Sequence, residues 1–238
     1  MLDVTLLPIL EDNYCYIIQS AGKTAIIDPG EADPILKYLK ENNLTPDYII
    51  ITHRHWDHID GIEGIKEKFY IPVIGPEKEK DKIPLISQTL KEGDVFEFGD
   101  DQFEIIETPG HTIGHICYYS PQSKILFSAD TLFAMGCGRL FEGTAENMFQ
   151  SFEKLRTLPD ETKVYCGHEY TMANANFCLS VDSENQELIT HAEEMQKLRE
   201  NNQPTIPTTI GMEKETNIFM RAKDASEFKK YRDLKDQF

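Results

Sequence analysis

The stretch Thr52-His53-Arg54-His55-Trp56-Asp57-His58 constrains this chain more than any other, because it places three histidines and one aspartate within six residues. It follows Asp47-Tyr48-Ile49-Ile50-Ile51, a β-branched apolar run that reads as a buried strand. The motif therefore falls where a strand ends and a loop begins, and loops on a rigid scaffold carry function. Neutral imidazole and carboxylate are ligands that zinc, iron and manganese accept. In an extended segment side chains two apart point the same way. His53 and His55 can then grip one ion while Asp57 and His58 reach toward a second. The plain alternative is a polar loop with solvated histidines, but four ligand-type residues at this spacing rarely arise by accident.

The rest of the chain bounds the setting. Its 238 residues suffice for one large or two modest domains with a sizeable core. The net charge of −17, from 24 basic and 41 acidic residues, argues against a nucleic-acid partner, whose phosphates demand a basic footprint. It speaks equally against an anionic membrane surface. No apolar run approaches the roughly 18 residues that span a bilayer. The N-terminal residues, Met1-Leu2-Asp3-Val4-Thr5, lack the basic start and apolar block of a signal peptide, and no transit peptide is visible. Five cysteines, Cys15, Cys117, Cys137, Cys166 and Cys178, are odd in number and widely spaced. A reducing cytoplasm is the expected compartment. Nothing points to an obligate dimer, so a monomer is expected.

Taken in order, Val4–Leu10, Tyr14–Gln19 and Thr24–Asp28 read as strands, the third closed by Asp28-Pro29-Gly30, a turn signal. Asp33-Pro34 predicts a helix start with Asp33 as cap, and Ile35, Leu36 and Leu39 give that helix its apolar face. A helix over 61–69 and a strand over 71–74 follow the histidine motif. The charge run 77–82 reads as a solvated loop. Strands are expected at 95–98, 103–107, 116–119, 125–128 and 164–166. Thr144 is expected to cap an amphipathic helix running to Leu158. After His168 no strand is expected. Helices over 172–181, 184–201 and 225–238 fill that part, with a break at 204–207. The division falls near residue 170, giving a first domain, 1–170, and a helical second domain, 171–238. Frequent hairpins in the first predict an α+β fold of two sheets packed face to face with helices outside, rather than a doubly wound sheet.

His111, Asp130 and His168 each follow directly after a predicted strand. If those strands lie side by side, their ends converge on the first cluster, and five of the seven histidines are used. His115 is left as a group supporting a ligand from behind or a satisfied strand residue. His191 is expected at the surface. With these residues in view, the chain resembles the metallo-β-lactamase superfamily and its dinuclear site. The resemblance implies two divalent metal ions. One takes His53, His55 and His111, the other Asp57, His58 and His168, and Asp130 bridges them. It also implies an αββα sandwich over about residues 1–170. The motif is specific for the fold and not for the substrate, because the superfamily hydrolyses lactams, lactones, thioesters and phosphodiesters.

Two close cations strip a proton from a bridging water near neutral pH, and the same ions polarise a carbonyl and hold the oxyanion formed on attack. Asp57 would both ligate and orient that nucleophile, so no serine or cysteine is needed. Cys166 reads as a small buried strand residue. Zinc is the first expectation, with iron and manganese also accepted. Three further stretches narrow the substrate: Gly136-Cys137-Gly138-Arg139-Leu140-Phe141-Glu142-Gly143-Thr144, Gly167-His168-Glu169-Tyr170-Thr171, and the closing Arg232-Asp233-Leu234-Lys235-Asp236-Gln237-Phe238. Together with the helical C-terminal part they resemble glyoxalase II, the hydroxyacylglutathione hydrolases, over the whole chain.

That resemblance implies glutathione contacts at Arg139, Phe141, Tyr170, Arg232 and Lys235. Phe141 stands where the family often has tyrosine, and Arg139 where it often has lysine. The region 218–238 is net +2 within an acidic chain, which suits an anionic glutathione thioester. Arg232 and Lys235, three apart, are neighbours on one helix face. The implied activity is hydrolysis of S-D-lactoylglutathione and related S-2-hydroxyacylglutathiones to D-lactate and glutathione, the second step of methylglyoxal detoxification. The alternatives are a lactonase or β-lactamase of the same fold, an iron-dependent glutathione persulfide dioxygenase, and a non-catalytic metal-stabilised module. The last is disfavoured because a structural site closes its coordination with one ion.

Overall fold

A computed structural model describes residues 2–238. Met1, at the head of the stretch read above for targeting signals, lies outside the described residues. Two compact units divide the chain. The first takes it as far as Glu107, together with Gly114–Ser123, and the second takes Thr108–Ile113 and Lys124–Phe238.

The first unit opens with β1 (Asp3–Ile9), β2 (Asn13–Ser20) and β3 (Lys23–Ile27), then α1 (Asp33–Glu41), β4 (Tyr48–Ile50), α2 (Trp56–Ile59), α3 (Ile62–Lys66), β5 (Val73–Pro76) and β6 (Ile86–Leu90). These strands form one sheet in sequence order, antiparallel from β1 to β3 and parallel from β3 to β6. A three-stranded antiparallel ladder, β7 (Val95–Phe98), β8 (Asp101–Glu107) and β9 (Ile116–Ser120), completes the unit. Central strands of the first sheet are apolar on both faces, as strands covered on both sides must be. On one face Cys15, Ile17, Ile26, Ile49 and Ile51 pack with Ile35 and Leu39 of α1 and Ile62 and Ile65 of α3. On the other, the Tyr48 ring meets Phe96 edge-on at 5.3 Å, and the buried Tyr118 hydroxyl donates to the Ile51 carbonyl at 2.8 Å.

Three local expectations change here. Ala32, not Asp33, is the N-cap of α1, and no side chain caps it. Asp33 lies in the first turn, where its charge still meets the positive helix end. The histidine motif is not extended throughout, because Trp56 starts the short α2. Residues 86–90 pair as the edge strand β6, whose mostly exposed polar side chains carry no alternating apolar signal.

The second unit holds β10 (Ile125–Ala129), the two-residue strands β11 (Leu132–Phe133) and β12 (Gly136–Cys137), α4 (Ala145–Arg156), β13 (Lys163–Cys166), α5 (Thr171–Val181), α6 (Gln186–Glu200), β14 (Thr208–Thr209), α7 (Ile210–Thr216) and α8 (Ala225–Lys235). β13 runs parallel to β10 and antiparallel to β14. β14 is a strand after His168 where none was expected. Two residues have no periodicity to read, and they become a strand only by pairing with Lys163 and Val164. An aromatic cluster holds the helices: Phe228 of α8 meets Phe152 of α4 at 5.1 Å and Phe219 at 5.3 Å. His191 of α6 is buried rather than at the surface, on one stripe with Leu188 and Ala192.

Candidate metal centre

In the first unit the donors hang from two adjacent parallel strands. β3 ends at Ile27, and Asp28 follows with a left-handed backbone (φ 53°) that a short polar side chain tolerates. β4 ends at Ile50 and delivers Thr52 and His53. The buried Asp28 carboxylate accepts from the Thr52 amide at 2.8 Å and from its hydroxyl at 2.6 Å. Its Oδ2 also lies 3.0 Å from His58 Nδ1. A carboxylate behind an imidazole fixes ring orientation and leaves the other nitrogen for a metal. The Thr52 hydroxyl lies 3.1 Å from His53 Nδ1, and His53 Nε2 faces His55 Nδ1 at 3.1 Å. Asp28, His53 and His58 each offer a ligand atom within 4.8 Å of the others.

Asn13 donates to Asp57 Oδ2 at 2.9 Å, which aims that carboxylate. His58 Nε2 lies 3.5 Å from the same oxygen. Gly30 is required beside it, because a Cβ there would stand 2.0 Å from the Asp57 carbonyl oxygen. His115 stacks on His53 with centroids 4.9 Å apart, and it precedes β9 rather than lying within it.

In the second unit a β-bulge between Phe127 and Ala129, with Ala129 at φ 39°, re-aims the chain at the end of β10 and presents Asp130. His111 donates from Nδ1 to the Arg139 carbonyl at 2.8 Å, which leaves its Nε2 as the nitrogen that a metal would take. That Nε2 lies 3.3 Å from Asp130 Oδ2, and His168 Nε2 lies 3.3 Å from the same oxygen. Two imidazole nitrogens gathered on one carboxylate oxygen are a donor set for a divalent cation, in chemistry and in aim. In each unit by itself, the residues present fit a divalent metal.

The five residues implied as substrate contacts all belong to the second unit. Tyr170 stacks on His168 with ring planes 6° apart, and Phe141 meets the His111 ring at 5.2 Å. Both are exposed, as is the Arg139 side chain. Arg232, by contrast, is 5% exposed. Its Nη1 donates to the Cys137 carbonyl at 2.7 Å and its Nη2 to Asp236 Oδ1 at 2.9 Å. Arg139 Nε reaches the same Asp236 oxygen at 3.5 Å, so one carboxylate joins the two guanidinium groups. Lys235 donates to the Ala173 carbonyl at 2.9 Å and lies over the Phe177 ring. Burial, and then the Arg232 charge, hold its pKa below the usual lysine value. Cys166 is fully buried, and burial pushes its thiol up to about 12, which rules it out as a thiolate nucleophile.

Asp28 and Asn13, which hold His58 and Asp57 by hydrogen bonds, are residues that the sequence motifs do not single out. Asp28 falls within a turn signal, yet it stands directly after a strand, as Asp130 does. That shared position was the available sign.

Comparison with known proteins adds to this geometry. The family model described as Metallo-beta-lactamase superfamily matches residues 9–168, and that described as Hydroxyacylglutathione hydrolase C-terminus matches residues 169–238. The hydroxyacylglutathione hydrolase of Mesorhizobium japonicum is 46% identical over 243 residues, covering 95% of each chain. That of Pelagibacter ubique is 43% identical over 239 residues and covers 100% of each. The crystal structure of the B3 metallo-β-lactamase BLEG-1 superposes with a TM-score of 0.70 at 25% identity, covering 93% of this chain and 100% of that one. The fold is thus the αββα metallo-β-lactamase fold with a helical C-terminal part, as the sequence led us to expect.

Proposed function

Because this chain belongs to the hydroxyacylglutathione hydrolases of the metallo-β-lactamase superfamily, we propose that it cleaves S-D-lactoylglutathione and related S-2-hydroxyacylglutathiones to the hydroxy acid and glutathione. The observation that carries this is the match of residues 169–238 to the hydroxyacylglutathione hydrolase C-terminus, directly following a metallo-β-lactamase segment that carries the complete donor set. It would serve as the second step of methylglyoxal detoxification, in the cytoplasm, as a monomer that engages neither nucleic acid nor membrane. Among the described residues no helix is long and apolar enough to cross a membrane.

The reading assigns His53, His55 and His111 to one divalent ion and Asp57, His58 and His168 to a second, with Asp130 shared. Zinc is the first candidate, and iron or manganese suits the same donors. When bound, such ions supply a water activated near neutral pH and Lewis acidity for the thioester carbonyl. The protein's own part is orientation. Asp28 holds His58 and the Arg139 carbonyl holds His111, each through Nδ1, so that Nε2 would be the nitrogen left for a metal. Asn13 aims Asp57, which orients the attacking water. A thiol with a pKa near the ordinary ~8.5 leaves as thiolate without a strong general acid.

Residues 171–238 form the glutathione-binding part in this reading. Arg139 meets a glutathione carboxylate, Tyr170 and Phe141 flank the thioester, and Lys235 adds positive charge. Arg232 contributes through Asp236, which it shares with Arg139. The test is thiol release from S-D-lactoylglutathione by purified protein, with and without prior chelation. Fast release that chelation abolishes and metal restores is expected. Absence of release from metal-loaded protein removes the thioesterase reading, and lactones, β-lactams and glutathione persulfide become the substrates to try.

A further inference from the structure

Immediately after Asp130 the chain forms the tight β11–β12 hairpin, with Ala134 and Met135 at its tip and Met135 in a left-handed conformation (φ 52°). A side chain at that φ is strained by about 1 kcal/mol or more, and something must hold it there. Five consecutive carbonyls, from Phe133 to Cys137, each accept from a side chain of the C-terminal helical part. Asn217 reaches those of Phe133 and Gly136 at 3.4 and 2.9 Å, Asn174 that of Ala134 at 3.1 Å, and the Cys178 thiol that of Met135 at 3.1 Å. Arg232 takes the Cys137 carbonyl at 2.7 Å.

Also at the tip, the Met135 amide donates to Glu213 Oε2 at 2.8 Å. The same oxygen accepts from Asn217 Nδ2 at 2.9 Å, and Glu213 Oε1 accepts from the Thr208 hydroxyl at 2.7 Å. Glu213 is 0% exposed. Burial pushes its carboxyl up to about 7, against the opposing pull of those three donors. A buried carboxylate is costly, and here its hydrogen bonds are committed to holding this hairpin and the asparagine beside it.

The hairpin leads directly to metal ligands. Gly138 lies against Asp130 so closely that a Cβ would stand 1.8 Å from the Asp130 carbonyl oxygen, and its amide donates to the Thr131 carbonyl. The next residue, Arg139, supplies the carbonyl that holds His111 Nδ1. We propose that Glu213 and Asn217 are positioning residues for the metal centre: they pin the hairpin of residues 132–137 so that the Arg139 carbonyl keeps His111 aimed and Asp130 stays in place.

The inference rests on the metal-centre reading above, and the experiment separates the two. Full-length, metal-loaded wild type, Glu213→Ala, Glu213→Gln and Asn217→Ala are mixed with excess chelator, and the rate of metal release is followed without substrate. A wild-type chain that takes up no divalent metal overturns the reading of the site itself. Given a loaded wild type, Glu213→Ala is expected to release metal roughly tenfold faster, the lower end of the effect of losing a group behind a ligand. Glutamine can keep both contacts, through its oxygen to Met135 and its amide to Thr208, so Glu213→Gln is expected within about threefold of wild type. If Glu213→Ala does not fold, Asn217→Ala carries the same prediction, because it leaves Glu213 on the Met135 amide and frees two carbonyls. Release at the wild-type rate from a folded alanine variant, or a glutamine variant as fast as the alanine one, overturns the inference.

Discussion

What a histidine does in this chain depends on what its outer ring nitrogen meets. His58 meets Asp28, His53 meets the Thr52 hydroxyl, and His111 meets a backbone carbonyl, so each presents its other nitrogen to the centre. His191 meets nothing: neither ring nitrogen has a hydrogen-bond partner, and the nearest carboxylate, Glu194, is 4.0 Å away and largely exposed. Burial holds its pKa below the usual value, with Glu194 opposing. The unfolded chain then binds the proton more readily than the native one. Stability from this group is complete above the unfolded pKa of about 6.5 and is lost as pH falls from there through the lower native pKa. His191→Leu removes that loss and two unsatisfied nitrogens, so its stability in urea unfolding should match or exceed wild type at pH 7, by up to about 1 kcal/mol. It should also fall less between pH 7 and 5. A variant with the same acid dependence as wild type would show that His191 does not carry it. The burial was legible in the spacing of Leu188, His191 and Ala192, but the polarity of α6 hid it. The seven residues assigned to the metals can be singled out in the sequence because imidazole and carboxylate cluster there after apolar strand-like runs, in the pattern of the metallo-β-lactamase motif.

A helix with an apolar period is legible in the sequence even where its cap is not, as Asp33 of α1 shows, whereas elements made by their neighbours are not legible. The helix after Thr144 was expected from its cap. The structure shows a reciprocal capping box, with the Thr144 hydroxyl accepting from the Asn147 amide and the Asn147 side chain accepting from the Thr144 amide. Thr144→Ala should therefore cost about 1 kcal/mol and lower Tm by roughly 2–4 °C. Asn147→Ala should add little on top, because the two halves of the box fail together. Additive losses in thermal melts would show that the caps act separately. β11, β12 and β14 span two residues each and offer no alternation to read. Their existence depends on pairing and on side chains about 40 to 100 residues away, as Asn174, Glu213 and Arg232 show at the β11–β12 hairpin. The four-residue α2 is also too short for a period. It redirects Asp57 and His58 where an extended reading had aimed them by alternation alone.

At the scale of the whole molecule, texture and packing follow different lines. Strands give way to helices after His168, and the two family matches meet between residues 168 and 169. The second compact unit nevertheless takes residues 124–168 together with everything after them. A chain cut at residue 170 would lose Asn174, Cys178, Glu213, Asn217 and Arg232, and with them the partners of five consecutive carbonyls and one amide. It would also expose Phe152, whose ring packs on Phe228. Each buried polar group left without a partner costs about 1–3 kcal/mol, and several together reach the 5–15 kcal/mol that holds a typical domain. Residues 1–170 expressed alone should therefore fail to show a cooperative thermal transition and should bind divalent metal weakly, even though every ligand is present. Circular dichroism melts and metal titration of that fragment test this. A soluble fragment with a sharp transition and wild-type metal affinity would mean that the helical part adds substrate contacts only. A fragment that regains its transition when residues 171–238 are supplied in trans would show that the two stretches fold as one packing unit and that the peptide bond between them is dispensable.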